Sequence, residues 1–303
     1  KSLVLKDLLT QFPQEMLGDE HWKNLGEELG ILAKMIDSAE RLSIQVHPDK
    51  EFSRKYFHSD YGKTECWYIL QTREVQEQEP YLLMGFRPGV TRERWQHCYE
   101  TQDIRGMIDC MHKVTPKAGE VWLIDGGFPH AIGPGCCLIE LQEPTDYTLR
   151  TEKTRSDGSL LPEQLIHQGA GEEGLMECFH YDTLEEEQLR RLHCLEPECR
   201  ACRDGSVWKK LVGVPYTQCF SMVSVQVKER VDLPSNGGFQ VAVVVKGEGR
   251  ILSRGGDTVL RQGEHFFLPA RMGDFSLCSN GKEPFEVLLC YPPHSMPVPP
   301  QED

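Results

Sequence analysis

Apolar residues near the start of the chain recur at every third or fourth position: Leu5, Leu8, Leu9, Phe12 and Met16, closed by Gly18. That spacing predicts an amphipathic helix over 3–17. From Gly30 the apolar runs shorten to strand length, predicting strands over 31–36 and 42–47, the second ended by Pro48. The polar stretch 49–58, with Phe52, Tyr56 and Phe57 at helical spacing, reads as a short covering helix. Strands follow over 65–71 and 81–86, then two short helices around Trp95 and Ile108, then strands over 120–124, 136–141 and 147–151. Residues 152–212 are acidic and turn-rich, with one helical pattern over 184–195. Beyond them, short strands punctuated by Gly, Pro and Asn return over 219–227, 239–245, 249–252, 265–268 and 287–290. Two runs of short strands around a connector predict a mainly β fold of two jelly-roll barrels with a few peripheral helices. The expected division is 1–151, 152–212 and 213–303.

Composition narrows the partners. At 303 residues, 39% of them hydrophobic and 26% charged, the chain has ordinary globular content. No apolar run approaches the roughly 20 residues that span a bilayer. A net charge of −14 argues against nucleic acid or an anionic membrane surface as partner, but not against a phosphorylated small molecule met by local cations. The 12 cysteines are scattered through apolar stretches, as expected for reduced thiols in the cytoplasm.

The chemistry concentrates in the first barrel. Gln45 and His47 stand two apart on a strand and so project from one face. Glu65 opens the next strand. The loop Gly119–His130 has the spacing G-x5-[P/D]-x-G-x2-H, whose glycines turn the chain so that His130 aims inward. Two imidazoles, a carboxylate and an amide oxygen suit zinc; manganese, cobalt or iron(II) would also be held by such donors.

These segments resemble the class I mannose-6-phosphate isomerases, zinc enzymes of the cupin superfamily. The resemblance lies in LSIQVHPDK (42–50), GKTECWYIL (62–70), PHAIGPG (129–135) and EPTDYTLR (143–150), in that order. It implies cupin-type barrels, one zinc ion held by Gln45, His47, Glu65 and His130, and an active-site arginine at Arg150. Lys63 matches a lysine of the family's substrate pocket, Ser43 a serine implicated in phosphate binding, and Asp146 another pocket residue. The implied reaction interconverts mannose 6-phosphate and fructose 6-phosphate through an enediolate. Its developing oxyanion needs positive charge, which zinc, Arg150 and Lys63 would provide. Asp146 and Lys63 are the candidates for the base. The family's tryptophan-bearing N-terminal segment has no counterpart here, so part of the pocket is expected to be missing from this chain.

The second barrel repeats the G-x5-P spacing at Gly263–Pro269, but Asp274 stands where a histidine would correspond to His130, so no metal is expected there and His265 reads as structural. Cys194, Cys199 and Cys202 beside His193 have only a weak zinc-knuckle spacing. The other classes to separate are a different metal-dependent cupin enzyme, such as a dioxygenase, and a non-catalytic sugar-binding module. The expected partner is a small sugar phosphate, with assembly into a homo-oligomer left open.

Overall fold

The computed structural model describes residues 3–155, 158–202, 204–281 and 283–300. The chain divides into two compact units, Lys34–Leu195 and a second formed by Lys1–Ala33 with Glu196–Asp303.

In the first unit the strands are β1 (Leu32–Asp37), β2 (Gln45–Val46), β3 (Glu65–Thr72), β4 (Leu82–Phe86), β5 (Met111–Val114), β6 (Val121–Ile124), β7 (His130–Ile132), β8 (Cys136–Gln142), β9 (Leu149–Arg150) and β10 (Cys194–Leu195). They form two five-stranded sheets, in the orders β1-β8-β3-β6-β10 and β5-β4-β7-β2-β9. Strand β3 runs antiparallel to β6 and β8, and β2 antiparallel to β7 and β9.

Side-chain alternation explains how the sheets pack. Trp67 and Ile69 on β3, Trp122 and Ile124 on β6, and Leu138 on β8 meet Leu82 and Met84 of β4 in one core between the sheets. The intervening residues of β4, Leu83 and Phe86, enter a second core with Trp95, Tyr99, Met107 and Leu175. Strand β4 is therefore buried on both faces, which is why its sequence is a continuous apolar run rather than an alternating one. The second face is covered by the helices Arg92–Thr101, Ile104–Asp109 and Gly171–Cys178. Within β4 the register shifts between Met84 and Phe86. Gly85 sits there at φ 57, and a Cβ on it would lie 2.7 Å from the Phe128 ring.

In the second unit the strands are β11 (Glu198–Ala201), β12 (Val207–Val212), β13 (Ser221–Val227), β14 (Arg230–Leu233), β15 (Gln240–Lys246), β16 (Glu248–Ser253), β17 (Gly256–Arg261), β18 (His265–Leu268), β19 (Phe275–Ser279) and β20 (Phe285–Tyr291). Their sheets run β11-β12-β13-β20-β15-β18 and β14-β19-β16-β17, around a core that includes Val223, Val244, Leu277 and Leu289.

Three sequence expectations change. No closed barrel is found among the described residues: the sheets stand open. Edge strands β9 and β10 are two residues long, too short for a ladder that would join one sheet to the other. The helix expected over 3–17 is two, Leu5–Gln11 and Pro13–Leu17, followed by Asp19–Leu25. Pro13 cannot donate its backbone nitrogen into a continuing helix and instead starts a new one at its first position. In 152–212, besides the expected helix, now Glu186–His193, there are helices Glu163–His167 and Gly171–Cys178 and the strands β11 and β12. Helices this short hold too few turns for periodicity to declare them.

Replacing Ile69, buried between the sheets, by alanine should lower stability by about 2–5 kcal/mol. Met35→Ala, at a side chain 53% exposed, should stay within about 0.5 kcal/mol. Urea titration of both variants checks the contrast.

Candidate metal centre

Strand pairing gathers the site at one end of the inter-sheet core. Gln45 on β2 lies directly across from His130 on β7 and, on its other side, across from Arg150 on β9. Glu65 faces Gln142 of β8 and shares its face of β3 with Trp67. The loop before His130 is tied to the opposite ligand strand: the Gly127 N–H donates to the His47 carbonyl over 2.7 Å. Gly127 has φ 81, and a Cβ there would lie 2.4 Å from the His180 ring, so the loop admits only glycine.

His47, Glu65 and His130 are fully buried, and one donor atom from each lies within 4.8 Å of the others. The two Nε2 atoms are 3.2 Å apart, and Glu65 Oε2 is 3.1 Å from His47 Nε2. His47 Nδ1 faces the Tyr147 carbonyl and His130 Nδ1 the Phe128 carbonyl, each at 2.9 Å. A carbonyl only accepts, so both Nδ1 atoms carry the hydrogen and both Nε2 lone pairs point into the site. Trp67 Nε1 donates to Glu65 Oε1 over 3.0 Å and fixes the carboxylate.

The electrostatics agree with a cation seat. Burial, and then the Lys63 charge, hold the His47 imidazole below its usual value; burial, with His47 beside it, pushes His130 down to about 3. Both rings are neutral with lone pairs available. Burial opposes ionisation of Glu65, but the Lys63 ammonium outweighs it and holds the carboxyl well below its usual range. The Lys63 side chain lies against this donor set, with Nζ 2.7 Å from His47 Nε2 and donating to Glu65 Oε2. Two imidazole nitrogens and a carboxylate, all aimed at a point already drawing positive charge, fit one zinc ion.

The other expected residues divide. Gln45 reaches the centre, its amide 3.2 Å from His130 Nε2. Arg150 is partly buried, and Nη1 donates to the carbonyls of Thr148 and Leu165 over 3.2 and 2.8 Å. Burial alone lowers its pKa, and no carboxylate faces it among the described contacts. Ser43 is half-buried just before β2. Asp146 is not joined to Arg150: its side chain is 80% exposed and accepts from Lys34 Nζ over 3.2 Å. His265 is exposed on β18, and no second group able to hold a metal is found among the described residues, the cysteines near His193 included.

Two residues were missed in the sequence. Glu140, on the same face of β8 as Gln142, is raised by burial and by the nearby Glu65 charge to about 7, and lies 3.3 Å from Lys34. Lys34 also donates to Gln142 Oε1 over 2.7 Å. The available signal was a lone carboxylate inside the apolar run CCLIELQ, where burial makes charge costly.

Fold and donors together define a mononuclear metal protein built on paired antiparallel sheets. The "Phosphomannose isomerase type I, catalytic domain" family model matches residues 1–68, and the "Mannose-6-phosphate isomerase, cupin domain" model matches 212–283. Among curated proteins, the chain is similar to the probable mannose-6-phosphate isomerase GmuF of Bacillus subtilis (26% identity over 273 residues, 86% of this chain and 78% of that one). It is also similar to the mannose-6-phosphate isomerase ManA of the same organism (26% over 277 residues, 85% and 76%). The crystal structure of a Bacillus subtilis mannose 6-phosphate isomerase superposes with a TM-score of 0.75 at 21% identity, covering 96% of this chain and 82% of that one. A zinc-bound mannose 6-phosphate isomerase gives 0.73 at 16%, covering 96% and 86%. Two segments of the chain thus match family models of mannose-6-phosphate isomerases, and its fold is that of the solved mannose 6-phosphate isomerases.

The raised Glu140 carries a prediction for protein stripped of metal by a chelator. Its folded pKa, about 7, exceeds the ordinary 4.5, so between these values the folded state holds more protons and stability falls as pH rises. The stability of Glu140→Gln relative to the parent should therefore climb from about pH 4.5 to about pH 7 and then level off. Urea midpoints across that range test it, and a flat difference would refute it.

Proposed function

We infer that the chain is a zinc-dependent aldose–ketose isomerase that interconverts mannose 6-phosphate and fructose 6-phosphate. The observation that carries this reading is the convergence of His47, Glu65 and His130, with the Arg150 cation one strand away beside Gln45. Gln45 would complete the ligand set through its amide oxygen, which a half-turn of the amide exchanges with the nitrogen. Zinc, when bound, supplies Lewis acidity toward the oxygens at C1 and C2 of the open-chain sugar.

The chain's own groups account for the rest. Arg150 keeps its charge at any working pH and stands ready for an enediolate oxygen or the phosphate. Lys63 adds the second cation, and Ser43 offers a hydroxyl to the phosphate. We assign the proton transfer between C1 and C2 to Glu140, whose value of about 7 suits a group that must both take and return a proton. Asp146 then acts at one remove, by holding the Lys34 amine that also reaches Glu140.

The two pairs of sheets are best read as opened jelly rolls of the cupin type. By function we divide the chain into a metal-bearing part, 1–151, a joining part, 152–212, and a part without ligands, 213–303. A cytoplasmic setting is supported by the reduced state of the twelve cysteines, and no helix among the described residues is long and apolar enough to cross a membrane.

Glu65→Ala should lose both zinc and isomerisation, because it removes the one carboxylate among the donors. Arg150→Ala should keep zinc and lose about 10²–10³ in kcat, the usual cost of deleting one oxyanion donor. A coupled assay for fructose 6-phosphate, run with metal analysis, separates the two outcomes. Full turnover by zinc-free Glu65→Ala would overturn the reading, and oxygen uptake in place of isomerisation would point to a cupin oxygenase.

A further inference from the structure

Lys63 lies against the donors. Its Nζ is 2.7 Å from His47 Nε2 and donates to Glu65 Oε2, and the residue is 3% exposed. His47 Nε2 has one lone pair, because Nδ1 carries the ring hydrogen toward the Tyr147 carbonyl. That lone pair accepts from Lys63 or binds a metal, but cannot do both. Glu65 Oε2 has lone pairs for both, but two cations forced together on it in a buried volume repel strongly.

We propose that Lys63 and zinc exclude each other at His47 Nε2 and Glu65 Oε2, so that metal loading drives the Lys63 cation off both partners and frees it for an anionic group of the substrate. Lys63 is on this account a positioning element for zinc as well as a substrate-facing cation. The strand supports the exchange: Lys63 stands two residues before Glu65, and its backbone N–H is anchored to the Pro48 carbonyl over 3.0 Å, so only the flexible side chain has to move. The coupling is reciprocal. An anion that holds the freed lysine must also strengthen zinc binding.

The inference rests on the zinc reading above, and the test separates the two. Zinc affinity is measured by competition with a chromogenic chelator at one pH and ionic strength, for the parent and for Lys63→Met and Lys63→Gln, with circular dichroism as the check on folding. Both variants should bind zinc at least about fivefold tighter than the parent, the lower end of ordinary coupling between sites. Inorganic phosphate should tighten zinc binding to the parent and leave the variants unchanged. A third readout needs no variant: acetylation of Lys63 in the parent, followed by mass spectrometry, should speed up when zinc is added. Equal or weaker zinc affinity in folded variants, or a labelling rate that zinc does not raise, overturns the proposal. A parent that binds no zinc overturns the reading of the site itself.

Discussion

Two imidazole lone pairs and a carboxylate cannot share a dry volume a few ångströms across unless positive charge lies among them. Water is excluded there, and an unpaired anion or opposed lone pairs in such a medium cost several kcal/mol each. In this chain the positive charge comes first from Lys63, and the same requirement makes the site a metal seat. Much of the surrounding sequence follows from it. Trp67 restrains the carboxylate, the carbonyls of Tyr147 and Phe128 fix the imidazole tautomers, and Glu140 is left carrying the strain of a second carboxyl near the first. One buried charge problem thus ties together a donor set, a raised carboxyl beside it and a buried lysine against it.

The architecture supplies the stiffness this arrangement needs. Glu65 and Trp67 belong to one sheet, and Gln45, His130 and Arg150 to the other, with aromatic and branched side chains packed between them. The ligand spacing is therefore set by sheet-to-sheet packing, and small changes in core volume would be felt as changes in donor separation. Arg150 gains its place from strand register alone: a one-residue slip of β9 against β2 would turn it to the opposite face.

Much of the centre could be read from the chain because its signals are local. Gln45 and His47 advertise one face by their spacing, and the glycines before His130 mark a turn that a side chain would block. Glu140 offered only the signal of a lone carboxylate in an apolar run, and Lys34 offered none, since its meaning comes from neighbours on a strand distant in sequence. The same limit applies to the fold. Short strands and turns gave the β class and most strand positions, whereas whether the sheets close depends on edge strands only two residues long. The broken helix at Pro13 was a local signal overlooked because the apolar spacing ran straight through it.

Strand β4, apolar on both faces, has one further consequence. Its backbone is walled off by the inter-sheet core on one side and by helices on the other, and it hydrogen-bonds to β7, the strand that begins with His130. Amides in such a position exchange with solvent only when the whole unit opens, not by fraying from an edge. One of the metal's histidines is therefore held by a wall that does not fray, and the ion it holds should leave on the timescale of unfolding or of side-chain movement among the donors, not through breathing of the wall behind it.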